Sequence, residues 1–591
     1  MVRRFLVVTV SVVVVLVSTA LIAEPGNSPS SKKPRMLGKG NPFLLHDLPP
    51  GRVRSKIEGL PFQAWNRAMD WLHRFEFPEN DLESMDVDNQ GGVLYTDQAP
   101  VLPAGDGEPA PATEGEVSWQ GAAAVDNAFL LHSRAGAPRV VYLDFNGHIF
   151  SGTAWSNGTI SAAAFDLDED PGTFNETERN FIAEIWHRVA EDFSAFDIDV
   201  TTEEPAVFDR HTGRILITSK TQTNGSEMPY SSYGGVAYIG VWGGSDYATY
   251  YSPALVYYDN LAKFPTYIAE ASSHEFGHNL GLSHDGTGST TYYGGHGSGA
   301  TSWAPIMGNS YSRNVTQWSK GEYQGANNTQ DDIGIIASEL TMADDDHGDT
   351  MVQATPLTVD VNGQILVSNP ELDPDNDYPD NKGKIESSTD QDMFYFQAAA
   401  GPIDLTVVPA WDAFYRDNKR GANLDIQASL LDESGAVLAT SNPAAETDAS
   451  ISINVPGGNY YLVVTGVGSS NFSAYASTGQ YFISGSISVT ASNLPPIADF
   501  GVTCNDLNCA FVDYSSDPDG SITAWFWDFG DGATSSSPSP SHSFASAGSY
   551  PVSLRVTDND DDTDIKIQSL TVTIDDIIPP VVTPPADITR E

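Results

Sequence analysis

Residues 274–284 read His274-Glu275-Phe276-Gly277-His278-Asn279-Leu280-Gly281-Leu282-Ser283-His284. On a helix, His274 and His278 lie one turn apart and project from the same face. Two imidazoles so placed can reach one metal ion, and zinc is the ion that favours a small set of histidine nitrogens. Glu275 stands beside them, positioned to take a proton from a water that the metal activates. Gly281 lets the chain leave the helix in a conformation that a side chain resists. His284 then returns as the third ligand, leaving the fourth position open, as a catalytic zinc requires. The chain has 12 histidines, so three at ligand spacing are poorly explained as surface or packing residues.

Working outward, the helix carrying this string is expected from Thr266 to Leu280. Upstream, Phe181, Ile182, Ile185, Trp186, Val189 and Phe193 recur at helical spacing over Glu176 to Phe193. Strands are expected at Arg139–Phe145, Asp197–Thr201, Arg214–Ser219, Val236–Trp242 and Ala254–Tyr258, and a last helix at Asp331–Leu340. This is a mixed α/β domain. Val236–Trp242 is expected as an edge strand, along which an extended substrate adds by main-chain hydrogen bonds.

The long histidine string resembles that of the metzincin metallopeptidases, which place a methionine-containing turn beneath the metal. Trp303-Ala304-Pro305-Ile306-Met307-Gly308-Asn309 is similar to that turn, and Met307 lies 23 residues after His284. The resemblance implies that Met307 supports the ligands from below without binding the metal. Asp285, directly after the third histidine, is similar to the adamalysin or reprolysin branch, but this region has no cysteine, so the branch's disulfides are missing. A bacterial reprolysin-like zinc endopeptidase is therefore the expectation, hydrolysing peptide bonds with Glu275 as general base. In some metzincins a tyrosine near the turn steadies the transition state. Tyr311 is the candidate, four residues after Met307 where the family pattern has two.

The remaining chain frames that domain. It has 591 residues, too many for one core, and a prior of about 150 per domain suggests about four units. Arg3 and Arg4 precede an apolar run from Phe5 to Val17 and then small residues, the pattern of an export signal over 1–23. Secretion without stable membrane insertion is expected. Net charge is −49, which repels nucleic acid and anionic membrane. Residues 24–130 read as a propeptide and linker, with a helix near Leu60–Phe75 and a Gly/Pro/Glu-rich connector from Ala99 to Gly115. This region has no cysteine, so any masking of the metal falls to a carboxylate such as Asp81 or Asp86, or to steric cover.

Residues 131–343 are expected to form the catalytic domain, and all-β sandwich modules follow. Over 344–492, short alternating segments suggest a jelly-roll-like sandwich. Asp344-Asp345-Asp346-His347-Gly348-Asp349, Ala354-Thr355-Pro356-Leu357 and Asp390-Gln391-Asp392-Met393-Phe394 resemble the bacterial pre-peptidase C-terminal domain. Over 495–576, Trp527-Asp528-Phe529-Gly530-Asp531-Gly532 with Val556-Thr557-Asp558 resembles the PKD domain, an immunoglobulin-like sandwich. Cys504 and Cys509 fit one local disulfide there. Residues 577–591 resemble the opening of a HYR-type repeat. Calcium is a second candidate cofactor, at Asp166-Leu167-Asp168-Glu169-Asp170, where a solvated loop is the simpler reading. Protein or peptide substrates are the expected partners. Insoluble polymer is a candidate for the PKD-like module, and an adhesive protein whose β-modules carry the function is the alternative reading.

Overall fold

In a computed structural model, residues 34–100, 127–366, 381–410, 421–489 and 494–574 are described. The export signal, most of the connector and the HYR-like segment lie outside the described residues. The chain divides into two compact units, 1–360 with 364–488, and 489–591 with 361–363.

The first unit opens with two short helices, α1 (Arg52–Gly59) and α2 (Phe62–Leu72), where the sequence suggested one. Pro61, between them, cannot donate a backbone hydrogen bond, so the helix restarts there. Strands β1 (Met85–Val87) and β2 (Val93–Asp97) follow as an antiparallel pair. The catalytic region adds β3 (Val140–Asp144), α3 (Glu176–Asp192), β4 (Asp199–Thr201), β5 (Thr212–Thr218), β6 (Gly235–Tyr238), β7 (Ala254–Tyr257), α4 (Pro265–Leu280) and α5 (Asp332–Leu340). A hairpin of Ile149–Thr153 and Ser156–Ser161, absent from the sequence reading, interrupts this order.

One seven-stranded sheet runs in the order β1-β2-β6-β7-β5-β3-β4. The β7, β5, β3 and β4 strands are parallel, and β6 is antiparallel to both neighbours. Every residue of β5 is buried, as expected for a central parallel strand. The N-terminus of α3 is fixed by a reciprocal cap. Asn175 accepts from the Glu178 amide, and Glu178 accepts from the Asn175 amide. Trp186 on α3 is fully buried and donates to the Val200 carbonyl of β4 at 2.7 Å, which seats the helix on the sheet.

β6 is not an edge strand. It pairs with β7 on one side and with β2 on the other. The covering strand comes from the N-terminal region, more than 130 residues earlier in the chain, and nothing local to β6 signals that pairing.

The described residues between 355 and 487 form two facing sheets. One contains Gln391–Ala398, Gly458–Gly466, Ile426–Asp432 and Val437–Ser441; the other contains Gly479–Ile487, Gly401–Pro409 and Ala449–Val455. Ile403, Leu405 and Val407 alternate inward along one strand, the period-2 pattern of a half-buried sheet. This sandwich is hydrogen-bonded to the catalytic region. Asn423 donates to the buried Asp192 at 3.0 Å, and the Gln480 amide donates to Glu191 at 3.0 Å. The second unit packs Trp527, Phe500, Phe511 and Phe529 into its own core. Cys504 and Cys509 are disulfide-bonded across the hairpin of Phe500–Asn505 with Asn508–Asp513.

Candidate metal centre

The α4 helix starts at Pro265, whose fixed φ suits the first turn. It ends at Gly281 with φ 107°, where the Gly281 and Leu282 amides bond back to His278 and Gly277. This left-handed residue turns the chain so that His284 faces the other two histidines. His274, His278, His284 and Asp97 each bring one ligand atom to a common point, all within 4.8 Å of one another.

The tautomers follow from the partners. His274 Nδ1 is 2.8 Å from the Ile306 carbonyl and His278 Nδ1 is 2.8 Å from the Leu282 carbonyl. Carbonyls only accept, so both Nδ1 atoms carry the proton. Ser84 Oγ donates to the Asp81 carbonyl at 3.0 Å and is therefore free to accept from His284 Nδ1 at 3.2 Å. All three Nε2 atoms are left with lone pairs, buried and without a hydrogen-bond partner. Three buried lone pairs aimed at one point are costly unless a cation sits among them. The donor set thus fits zinc on its own chemistry. Burial lowers His274 to about 3 and His284 to about 4, so both are already neutral, as ligands must be, at ordinary pH.

Met307 is fully buried below the site. Its turn supplies the Ile306 carbonyl that orients His274, and its own carbonyl accepts from the Asp285 amide at 2.8 Å. A Cβ on Gly277 would lie 2.6 Å from Met307 Sδ, so the glycine in the histidine string is needed for helix and turn to approach. Tyr311 packs on Tyr267, with ring centroids 5.2 Å apart. Its hydroxyl is pushed well up, first by burial and then by the Asp97 and Glu275 charges.

Glu275 is buried, with its carboxylate against Gly235 of β6. Burial, and then the neighbouring Asp97 carboxylate, push it well above the usual carboxylate range. A bound cation acts in the opposite direction. A Cβ on Gly235 would fall 1.9 Å from Glu275 Oε1. Gly235→Ala is therefore expected to displace Glu275 and lower turnover by about 10²-fold, the scale of an ångström's misplacement. Equal zinc content and a peptidase rate within a few-fold of wild type would contradict this.

The carboxylates expected to mask the metal are not the ones at the centre. Asp81 Oδ2 accepts from Tyr95 at 2.8 Å and from the His284 amide at 3.2 Å, so it holds His284 from behind. Asp86 pairs with Lys56 at 2.7 Å and accepts from Tyr230 at 2.9 Å. Asp97, at the end of β2, faces the metal site. Its Oδ1 is 2.8 Å from His284 Nε2, and its Oδ2 is 3.3 Å from His278 Nε2 and 3.7 Å from His274 Nε2. Tyr292, missed from sequence, donates to Asp97 Oδ1 at 2.7 Å. Tyr95 stacks on His278 at 4.1 Å. The β-rich run Val93-Leu94-Tyr95-Thr96 ending in Asp97 was the available signal.

Among the described residues, two further acidic clusters lie elsewhere. Around Asp166 and Asp168, the Glu178 carboxylate is fully used by the Leu167 and Asn175 amides, which supports a self-bonded loop. In the sandwich, Asp345 is common to two groups, one with Glu386 and Asp390, the other with Asp346 and Asp392. There Asp392 Oδ1 and both Glu386 oxygens are buried without a hydrogen bond, although Lys384 lies 3.4 Å from Glu386.

Residues 196–285 match the family model described as metallo-peptidase family M12B, reprolysin-like, and residues 493–574 match that of the PKD domain. Among solved structures, the PKD1 domain from the Vibrio cholerae metalloprotease PrtV is 40% identical, covering 14% of this chain and 99% of that one, with TM-score 0.13. The PKD1 domain of Vibrio anguillarum Epp is 37% identical, covering 14% and 100%, with TM-score 0.14. The pre-peptidase C-terminal domain of Bacillus anthracis collagenase is 22% identical, covering 17% and 83%, with TM-score 0.13. No curated protein matches the chain significantly. Among the described residues, no helix is long and apolar enough to cross a membrane. The chain is thus similar to reprolysin-like metallo-peptidases of family M12B over residues 196–285 and to PKD domains over residues 493–574.

Proposed function

We propose that this protein is a secreted zinc endopeptidase that cleaves extracellular proteins, with His274, His278 and His284 as metal ligands and Glu275 as general base. The convergence of three buried, unpartnered Nε2 atoms beside a buried carboxylate carries this reading. Zinc, when bound, supplies Lewis acidity that polarises the scissile carbonyl and acidifies a water. Glu275 accepts the proton of the attacking water and returns it to the leaving amine. Nδ1 bonds to the Ile306 and Leu282 carbonyls keep His274 and His278 oriented. Tyr311 is the candidate hydroxyl to steady charge on the substrate oxygen. Casein hydrolysis by the mature protein should stop on adding a zinc chelator and return with zinc. Hydrolysis indifferent to the chelator would overturn the reading.

Calcium is proposed for the sandwich cluster. Burial first, and then the Asp346 charge, push Glu386 to about 9 and Asp392 to about 10. Between roughly pH 4 and 9 the folded cluster therefore holds more protons than the unfolded chain, and stability without a cation falls as pH rises through that window. Calcium relieves this repulsion, so its stabilisation should grow toward high pH, reaching about 2.7 kcal/mol at a hundredfold excess over Kd. Thermal unfolding with calcium or with EGTA at pH 5 and pH 8.5 measures it. Identical midpoints at both would exclude the site.

A further inference from the structure

We infer that residues 34–100 form a built-in inhibitor in which Asp97 is a fourth ligand to the zinc and β2 occupies the strand position of a peptide substrate. The inference rests on the zinc reading above. Four observations carry it.

The first is the placing of the carboxylate. Asp97 Oδ1 lies 2.8 Å from a His284 nitrogen that carries a lone pair, without the alignment of a hydrogen bond. Oδ2 is buried and has no hydrogen-bond partner, yet it points at the other two imidazoles. A carboxylate facing three lone pairs is repulsive, unless a cation shared by all four groups makes it attractive. Tyr292 donates to Oδ1 and so fixes the carboxylate in this orientation.

The second is the strand. β2 adds to β6 antiparallel, with Gly235 opposite Asp97 and Tyr238 opposite Leu94. This uses the main-chain groups along which an extended peptide would bind. The Gly234 amide also donates to the Asp97 carbonyl at 2.7 Å. Asp97 thus sits where β6 passes over Glu275, the point at which a scissile bond must lie.

The third is the attachment. Arg52 on α1 donates to the Met85 and Glu83 carbonyls at 2.8 and 3.0 Å, and to Tyr233 of the catalytic region at 3.1 Å. Trp71 on α2 donates to the Ile239 carbonyl, just past β6, at 2.9 Å. Ser283, beside the third ligand, donates to the Glu76 carbonyl at 2.7 Å. The segment is held on both sides of the metal site.

The fourth is its packing. Val93, Leu94 and Tyr95 are fully buried, and Tyr95 spans from His278 to Asp81. Burial of this kind belongs to a folded part of the unit, and access for a substrate requires β2 to leave.

The test uses the full-length, zinc-loaded chain and its Asp97→Ala and Asp97→Asn forms. Asp97→Asn keeps the volume and the acceptor for Tyr292, which guards against a variant that misfolds. Release of zinc to a chromogenic chelator should be about 10–100-fold faster in both variants, taking the range for lost outer-shell support as a minimum. The visible spectrum of the cobalt-substituted chain should also change. Wild-type release rates and wild-type spectra in both variants would overturn the fourth-ligand assignment and leave the zinc reading standing. Full-length wild type that hydrolyses a short peptide while residues 34–100 stay attached would overturn the inhibitory role. Wild type that holds no zinc would overturn both readings.

Discussion

Glu275→Gln, made in the mature enzyme, is expected to lower kcat by about 10²–10⁴-fold, the range that a positioned general base supplies. KM should change little, because the side chain meets a water and not the bound peptide. Glutamine keeps the volume beneath Gly235 but cannot accept the proton. Zinc content should equal that of wild type, because Glu275 supplies none of the four clustered ligand atoms. Equal zinc with kcat within threefold of wild type would remove Glu275 from the mechanism. A loss of zinc together with rate would show that the substitution damaged the metal site.

The second large effect is expected from His278→Ala. His278 is fully buried, held by the Leu282 carbonyl and stacked on Tyr95. Its loss removes one metal ligand and unstacks Tyr95. Zinc affinity should fall by more than the 10–100-fold typical of an outer-shell change, and peptidase activity should fall with it. Excess zinc should restore little, since two imidazoles and a water make a weaker site. Equilibrium dialysis against a zinc buffer measures the affinity. A variant that retains zinc at wild-type affinity would mean that the metal is held elsewhere.

The helix carrying the histidine string, and the clustering of its three imidazoles, were legible because both depend on local geometry. His274, Glu275 and His278 need only helical periodicity, and Gly281 needs only its left-handed φ to bring His284 round. Met307 followed from family resemblance, and its contact with Gly277 gives that spacing a steric reason. The helix over 176–192 was legible from its apolar spacing, and the capping pair Asn175 and Glu178 fixed its start. Asp97 was not legible as a candidate ligand. Its position depends on β2 joining β6 across more than 130 residues, and no periodicity encodes a strand's partner. The same pairing turned the expected edge strand into an inner one. Asp81 has the right residue type, but its Oδ2 is held by Tyr95 and the His284 amide, and it is not among the clustered ligand atoms. The sandwich was legible as alternating strands, whereas its hydrogen bonds to Asp192 and Glu191 were not, since Asn423 and Gln480 look like ordinary polar surface in sequence.

X-ray absorption at the zinc edge, on the full-length chain purified without added metal, probes the proposed ligand set most directly. The expected spectrum has imidazole nitrogens and oxygen in the first shell, with the imidazole contribution reduced in His278→Ala. A spectrum without imidazole scattering, or one unchanged in that variant, would contradict the assignment of His274, His278 and His284 as the zinc ligands.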